Sequence, residues 1–336
     1  MKFGVIGSGS WATALVKILT DNNNCIYWWI RNSGTIAHIQ QRKHNPHYLH
    51  SVYFSSQLLQ MSSSIDYVVE NADVLVIAVP SAYVTDALNS LHAEMFAGKK
   101  VVSAVKGILP DGNELINDYL KNTFNFDMQN YVTLLGPCHA EEVAAEKLSY
   151  LTFSGTDETL VKQIAKHFTT DYLQTKTNAD VVGVQYAAVL KNVYALGAGI
   201  AHGLEYGDNF LSVYIANCAR EMVGFLRKLI ANHTLPEIKD EINYASSVYL
   251  GDLLVTCYSL HSRNRMFGTM IGKGYSVKAA QLELNMVAEG YNASKCIYHK
   301  NEKVEADMPI LNIIYKILWK NLEPAEGFKR IETLLI

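Results

Sequence analysis

Residues 1–19 read MKFGVIGSGSWATALVKIL. A lysine, an apolar run and several small residues fit either a secretory signal or the opening of a nucleotide-binding domain. A signal needs an unbroken apolar stretch of about 7–15 residues and a small-residue cleavage site. Here Gly4, Gly7 and Gly9 interrupt the run, and Ser8 and Ser10 turn it polar. The second reading fits better: a strand from Lys2 to Ile6, a tight turn over Gly7–Ala12, then Ala14, Leu15, Ile18 and Leu19 at helical spacing. Gly7-x-Gly9-x-x-Ala12 is the dinucleotide fingerprint in its alanine-ended form. Gly7 permits the turn, Gly9 lets backbone approach a pyrophosphate, and Ala12 lets the helix pack close to the strand. The helix start then offers unpaired N–H groups to the phosphates.

The same fold type normally carries an acid at the end of the second strand, where it holds the ribose 2′-OH of NAD. That strand reads CIYWWIRN over 25–32 and ends in Arg31 and Asn32. An arginine there can pair with a 2′-phosphate, so the reading leans toward NADPH, with NADH still possible and a solvated arginine as the plain alternative. Further apolar runs follow at 73–80 (DVLVIAVP), 99–108 (KKVVSAVKGI), 131–144 (YVTLLGPCHAEEVA, strand then helix) and 148–155 (LSYLTFSG). Strands alternating with helices imply an α/β fold with a doubly wound, mostly parallel Rossmann-type sheet. Gly7, Pro80, Lys106 and Gly136 then fall at carboxyl ends of strands, where such sheets bind ligands.

Beyond about residue 180 the strand-like runs stop and helical periodicity takes over, in 184–204, 210–232, 250–259, 277–295 and 308–322. The expected organisation is a dinucleotide-binding domain over 1–180 and an all-helical substrate-binding and catalytic domain over 181–336. No low-complexity linker separates them, so a packed interface with the active site between the two is expected.

Two stretches could carry chemistry. In AAVLKNVYALGAGIAHGLEYGDN (187–209), Lys191 has Ala187, Ala188, Tyr194 and Ala195 as helical neighbours, none of them acidic. Burial there would lower its pKa and suit a general acid or base; a snorkelling lysine is the alternative. In GDLLVTCYSLHSRNRMFGTMIGKG (251–274), Asp252 opens an apolar helix, which an N-cap would also explain. Ser262, Arg263, Asn264 and Arg265 gather donors that suit a phosphate, or form an exposed basic loop.

With GSGSWATAL, VPS, KGI, LLGPCHAEEVA, VLKNVYALGAGIAHGLEYGDN, GDLLVTCYSLHSRNRMFG and MVAEGYNA in order along the chain, the sequence resembles the NAD(P)-dependent glycerol-3-phosphate dehydrogenases of the bacterial type. The resemblance implies interconversion of dihydroxyacetone phosphate and sn-glycerol 3-phosphate with NAD(P)H, feeding glycerophospholipid synthesis. Lys191 matches the catalytic lysine and Asp252 the acid that orients it. Arg263 and Asn264, with Ser262 beside them, match the phosphate contacts. Lys106 and Gly136 match substrate contacts from the first domain, and Cys138 stands where the family has a serine. Ser10, Trp11, Arg31, Lys106, Ala140, Arg263, Val287 and Glu289 match cofactor positions, beside Gly7, Gly9, Ala12, Asn32 and Pro80 of the turn, strand end and crevice. His202 replaces a common aspartate. Another two-domain dehydrogenase, of the 3-hydroxyacid or 6-phosphogluconate type, also uses a helical lysine followed by asparagine; the GDLLVTC and SRNR stretches count against it. A non-catalytic dinucleotide sensor would have no use for Lys191, Asp252 and Arg263 together.

Composition limits the other classes. The 336-residue chain has a formal net charge of -3 and no basic stripe, which argues against nucleic acid as a partner. No apolar run reaches the ~18 residues of a spanning helix, so no membrane partner is expected. The five cysteines (Cys25, Cys138, Cys218, Cys257, Cys296) show no CxxC pair, which suits a cytoplasmic setting and argues against structural zinc. His44, His47 and His50 lie in a polar loop with no carboxylate or cysteine, so no metal is expected. Only 18% of residues are charged, below the typical ~25%, which leans toward a homodimer.

Overall fold

The computed structural model describes residues 1–232, 242–284 and 288–336. Contacts divide them into two compact units, Met1–Val105 with Glu114–Val181, and Lys106–Asn113 with Val182–Ile336. The short stretch Lys106–Asn113, inside the 1–180 span, thus packs with the second unit.

The first unit is built on eight strands: β1 (Phe3–Ile6), β2 (Ile26–Trp29), β3 (Leu59–Ser62), β4 (Val74–Ile77), β5 (Lys100–Ser103), β6 (Tyr131–Leu135), β7 (Ser149–Ser154) and β8 (Leu173–Asn178). They form one sheet in the order β3-β2-β1-β4-β5-β6-β7-β8. All neighbours are parallel except β6 and β7, which run antiparallel. The central strands FGVI and VLVI are buried at every position, as expected where helices cover both faces. Their register, Val5 opposite Trp28 on one side and Val76 on the other, sets β1 where the strand order reverses. That reversal is the switch point at which open α/β sheets bind ligands. The turn Gly7–Gly9 leaves β1 there and enters the helix Ser10–Asp21.

β3 and β8 carry no apolar run and were not expected. Both are edge strands, where a sheet meets water on one side; LQMS mixes apolar and polar residues and LQTKTN is largely polar. β5 ends at Ser103, short of the expected 99–108 span.

The second unit holds only helices among the described residues. The long ones are Val181–Gly203, Asp208–Asn232 and Glu289–Val304. No helix among the described residues is long and apolar enough to cross a membrane.

Candidate active site

The helix Val181–Gly203 places Lys191 in the core of the second unit. Every residue from Gly183 to Ala201 is buried. Small side chains allow that, because neighbouring helices can come close on all sides. A Cβ on Gly199 would lie 2.0 Å from Arg265 O, and one on Gly203 2.4 Å from Thr269 O. In return a Cβ on Gly268 would lie 1.9 Å from Leu196 O, and one on Gly272 2.4 Å from Ile200 O. Two Gly-xxx-Gly stripes therefore interlock backbone to backbone. They fix the lysine helix against the helix Arg263–Gly272, which carries the SRNR stretch.

Lys191 Nζ lies 2.5 Å from Asp252 Oδ1, with both side chains almost fully buried. This excludes a snorkelling lysine. It also excludes the N-cap reading of Asp252: Gly251 before it is already helical, and Asp252 follows a π-turn over Ser247–Gly251. Such a turn widens the helix locally and is common at functional sites. The other carboxylate oxygen, Asp252 Oδ2, is buried with no hydrogen-bond partner among the described residues. A buried carboxylate oxygen normally finds a donor, so this one is available to a ligand hydroxyl.

Burial lowers the Lys191 pKa to about 8, against the pull of the Asp252 carboxylate, while the Lys106 ammonium pushes it down further. An amine balanced there can give or take a proton near neutral pH.

A relay of amides holds the residues around this pair. Asn192 Nδ2 donates to Lys106 O at 3.1 Å, Asn264 Nδ2 to Asn192 Oδ1 at 2.9 Å, and Gly290 N to Asn264 Oδ1 at 2.9 Å. Gly290 must be glycine, since a Cβ would approach Asn192 O to 2.4 Å. Asn264 thus spends both ends of its amide on the protein and keeps one N–H for a ligand. Asn192 and Gly290 were not singled out in the sequence, although the LKN triplet puts Asn192 beside the lysine.

The SRNR stretch divides its labour. Ser262 is the buried N-cap of Arg263–Gly272, its hydroxyl accepting from Arg265 N. Arg265 Nη1 donates to Tyr258 O at 2.6 Å and so closes the end of the Asp252–Tyr258 helix. Arg263 lies half-buried in the first turn of the same helix.

The fingerprint turn of the first unit fits a pyrophosphate. Gly7 has φ +124°, and a Cβ there would lie 2.6 Å from Ala78 O, so only glycine suits the position. A Cβ on Gly9 would meet nothing within 4 Å, which leaves open space above the backbone. Gly9 caps the helix Ser10–Asp21 with no side-chain cap bond and no acid in the first turn, so no carboxylate there would repel an anion at the helix start. Ser10 and Trp11 are half-buried beside it, and Ala12 is buried. Arg31 is exposed just past β2, and Asn32 caps the next helix by accepting from Thr35 N. Pro80 follows β4 and is exposed; Gly136 (φ +136°) and the buried Cys138 follow β6; Ala140 opens the helix Ala140–Ala144. Glu289 opens the helix Glu289–Val304 in the second unit, and Val287 lies outside the described residues.

Comparison with known proteins agrees from end to end. Residues 2–161 match the NAD-dependent glycerol-3-phosphate dehydrogenase N-terminus, and residues 180–329 the C-terminus of the same family. The chain belongs to the NAD-dependent glycerol-3-phosphate dehydrogenase family. It is 33% identical over 328 residues to the glycerol-3-phosphate dehydrogenase [NAD(P)+] of Lacticaseibacillus paracasei, covering 95% of this chain and 91% of the relative. The enzyme of the same name from Staphylococcus haemolyticus is 30% identical over 321 residues, covering 95% and 94%. The fold matches glycerol-3-phosphate dehydrogenase from Coxiella burnetii with a TM-score of 0.87 at 23% identity, covering 98% of each chain. The glycerol-3-phosphate dehydrogenase family membership thus rests on both units, and the cofactor type, NAD or NADP, comes with it.

Proposed function

We propose that the chain interconverts dihydroxyacetone phosphate and sn-glycerol 3-phosphate, with Lys191 as general acid and base. The observation that supports this most is the buried Lys191–Asp252 pair with one carboxylate oxygen unpartnered. Bound NAD(P)H supplies the hydride that arrives at the ketone carbon. Lys191 donates a proton from its ammonium to the ketone oxygen, which becomes the secondary hydroxyl, and the free amine regains its proton from water. In reverse the neutral amine takes that proton. Asp252 Oδ1 holds the ammonium in place, and Oδ2 accepts from a substrate hydroxyl. Arg263 and Lys106 offset the phosphate dianion, with the remaining Asn264 N–H as a further donor. Gly136 and Cys138 are the substrate contacts assigned to the first unit.

Gly7, Gly9, Ser10, Trp11 and Ala12 would hold the cofactor pyrophosphate, with Pro80, Ala140 and Glu289 at other cofactor positions. Arg31, rather than an acid, after β2 favours the 2′-phosphate of NADPH. A homodimer in the cytoplasm, supplying glycerophospholipid synthesis, completes the proposal.

Initial rates with dihydroxyacetone phosphate and each reduced cofactor test it. The expected result is turnover with both and higher kcat/KM for NADPH, a ratio that falls in Arg31→Ala. Lys191→Ala is expected to lose at least ~100-fold in kcat, the usual worth of a positioned acid, while still binding cofactor. Full activity in that variant would remove the lysine from its role.

A further inference from the structure

The glycine-rich turn has its carbonyls tied back. Gly7 O accepts from Trp28 Nε1 at 2.7 Å. Ser8 O accepts from Asn45 Nδ2 at 3.1 Å, and Gly9 O from Thr13 Oγ1 at 2.9 Å. Three successive carbonyls are thus each bonded by a side-chain donor, and all three donor residues are fully buried. The donors are linked as well: Asn45 Nδ2 also donates to Thr13 Oγ1 at 2.9 Å, so both its amide hydrogens are used. Its Oδ1 accepts from His47 N at 3.0 Å, which fixes the amide in the loop HNPHYLH.

Peptide geometry gives this arrangement a consequence. Across a planar trans peptide the C=O of one residue and the N–H of the next point in opposite directions. Tying the carbonyls of Gly7, Ser8 and Gly9 to the interior therefore aims the N–H groups of Ser8, Gly9 and Ser10 away from it. An anion needs that arrangement, because a carbonyl swung outward would repel it. Glycines let the turn rotate freely, so without the tie-backs the ordered arrangement would have to be gained on binding.

We propose that Asn45, acting with Thr13 and Trp28, is a positioning residue for the cofactor pyrophosphate. It holds the turn in its anion-binding form before the cofactor arrives. This accounts for the loop between the helix Ser33–Arg42 and β3, whose histidines suggested no chemistry. The proposal rests on the reading that the Gly7–Ala12 turn holds the pyrophosphate.

Calorimetric titration of the purified protein with NADPH, NADH and ADP-ribose tests it. ADP-ribose keeps the pyrophosphate and lacks the nicotinamide. Asn45→Ala is expected to weaken all three by the same factor, about tenfold, the worth of one or two hydrogen bonds. KM for cofactor rises by that factor, kcat at saturating cofactor stays within about twofold, and the NADPH:NADH preference is unchanged. Thr13→Val, which keeps the shape and removes the hydroxyl, weakens the same ligands and decides the matter alone if Asn45→Ala does not fold. Wild-type affinity in both variants, or a changed NADPH:NADH ratio, overturns the proposal. Gly9→Ala separates the underlying reading. Its methyl meets no protein atom within 4 Å, so cofactor affinity lost there is space taken from a ligand. Unchanged affinity in Gly9→Ala would overturn the pyrophosphate reading itself; loss there with normal binding in Asn45→Ala and Thr13→Val would overturn only the positioning role.

Discussion

Replacing Asp252 by asparagine keeps the shape of the buried pair and removes a negative charge 2.5 Å from Lys191 Nζ. Even at the dielectric of bulk water, two unit charges so close attract by about 2 kcal/mol, more than one pKa unit. The pair is buried, so the shift is larger, and a lysine already lowered to about 8 falls below 7. In the role proposed for Lys191, reduction of the ketone needs the ammonium and oxidation of the alcohol needs the free amine. In the wild type, kcat/KM for dihydroxyacetone phosphate should therefore fall above pH 8, and kcat/KM for glycerol 3-phosphate should rise across the same range. In Asp252→Asn both limbs move down by at least a unit. Lys106→Met moves them the other way, because the Lys106 charge pushes the amine down. Stability follows the same linkage. The folded amine binds protons more weakly than the unfolded one, whose value is 10.5, so stability rises with pH between about 8 and 10.5. The full swing is about 3 kcal/mol in the wild type. In Asp252→Asn the window opens lower, since a stranded ammonium can discharge at pH 7 for at most about 5 kcal/mol relative to the unfolded chain. The assay is the pair of pH–rate profiles in both directions, with denaturant unfolding at matched pH. Limbs that stay in place, or move upward, would show that Asp252 does not hold the ammonium.

Two further outcomes follow from packing and burial. Gly268→Ala forces a methyl to 1.9 Å from Leu196 O and should cost at least the ~1–3 kcal/mol of ordinary overpacking, whereas Gly224→Ala, exposed in mid-helix with nothing within 4 Å, should stabilise by about 0.5–1 kcal/mol; equal unfolding midpoints for the two would refute the interlocked stripes. Burial pushes the Glu221 carboxyl up to about 7, although Ile310 N, Leu311 N and the Tyr194 hydroxyl all donate to it. A raised carboxyl binds protons more tightly when folded, so this group's contribution to stability is full below 4.5, its ordinary value, and is lost as pH rises to about 7. Glu221→Gln should flatten that part of the stability profile, and an unchanged slope would sink the assignment.

The parts of the molecule that were legible in the sequence are those where burial leaves a compositional mark. The runs FGVI and VLVI announce strands covered on both faces, and the change to helical periodicity announces the second unit. β3 and β8 lie at edges and carry no apolar run, so nothing in their sequences marks them as strands. The reversed direction of β7 leaves no mark at all, because alternation of side chains is the same in parallel and antiparallel strands. Lys191 was conspicuous for a related reason: it is one charge in a helix otherwise made of small and apolar residues. Its partner was ambiguous, since Asp252 sits at a helix start where an acid is ordinary; the structure, just after the π-turn, puts its carboxylate 2.5 Å from Lys191 Nζ.

The same contrast explains why the supporting residues escaped notice. Asn192 and Gly290 act through hydrogen bonds to Asn264 and to a backbone carbonyl, and Asn45, Thr13 and Trp28 act through bonds to the backbone of the turn. Such bonds depend on which peptide groups lie nearby, and residue type alone does not encode that. Both sets do comparable work. Each holds backbone, at Lys106 in one case and at the glycine turn in the other, in a fixed orientation that suits the charged ligand proposed for it. Small ligands with little apolar surface gain affinity chiefly from charged groups already in place. A triose phosphate and a pyrophosphate are both of this kind. Buried amides are suited to hold those groups, because they carry no charge of their own to compete with the anion.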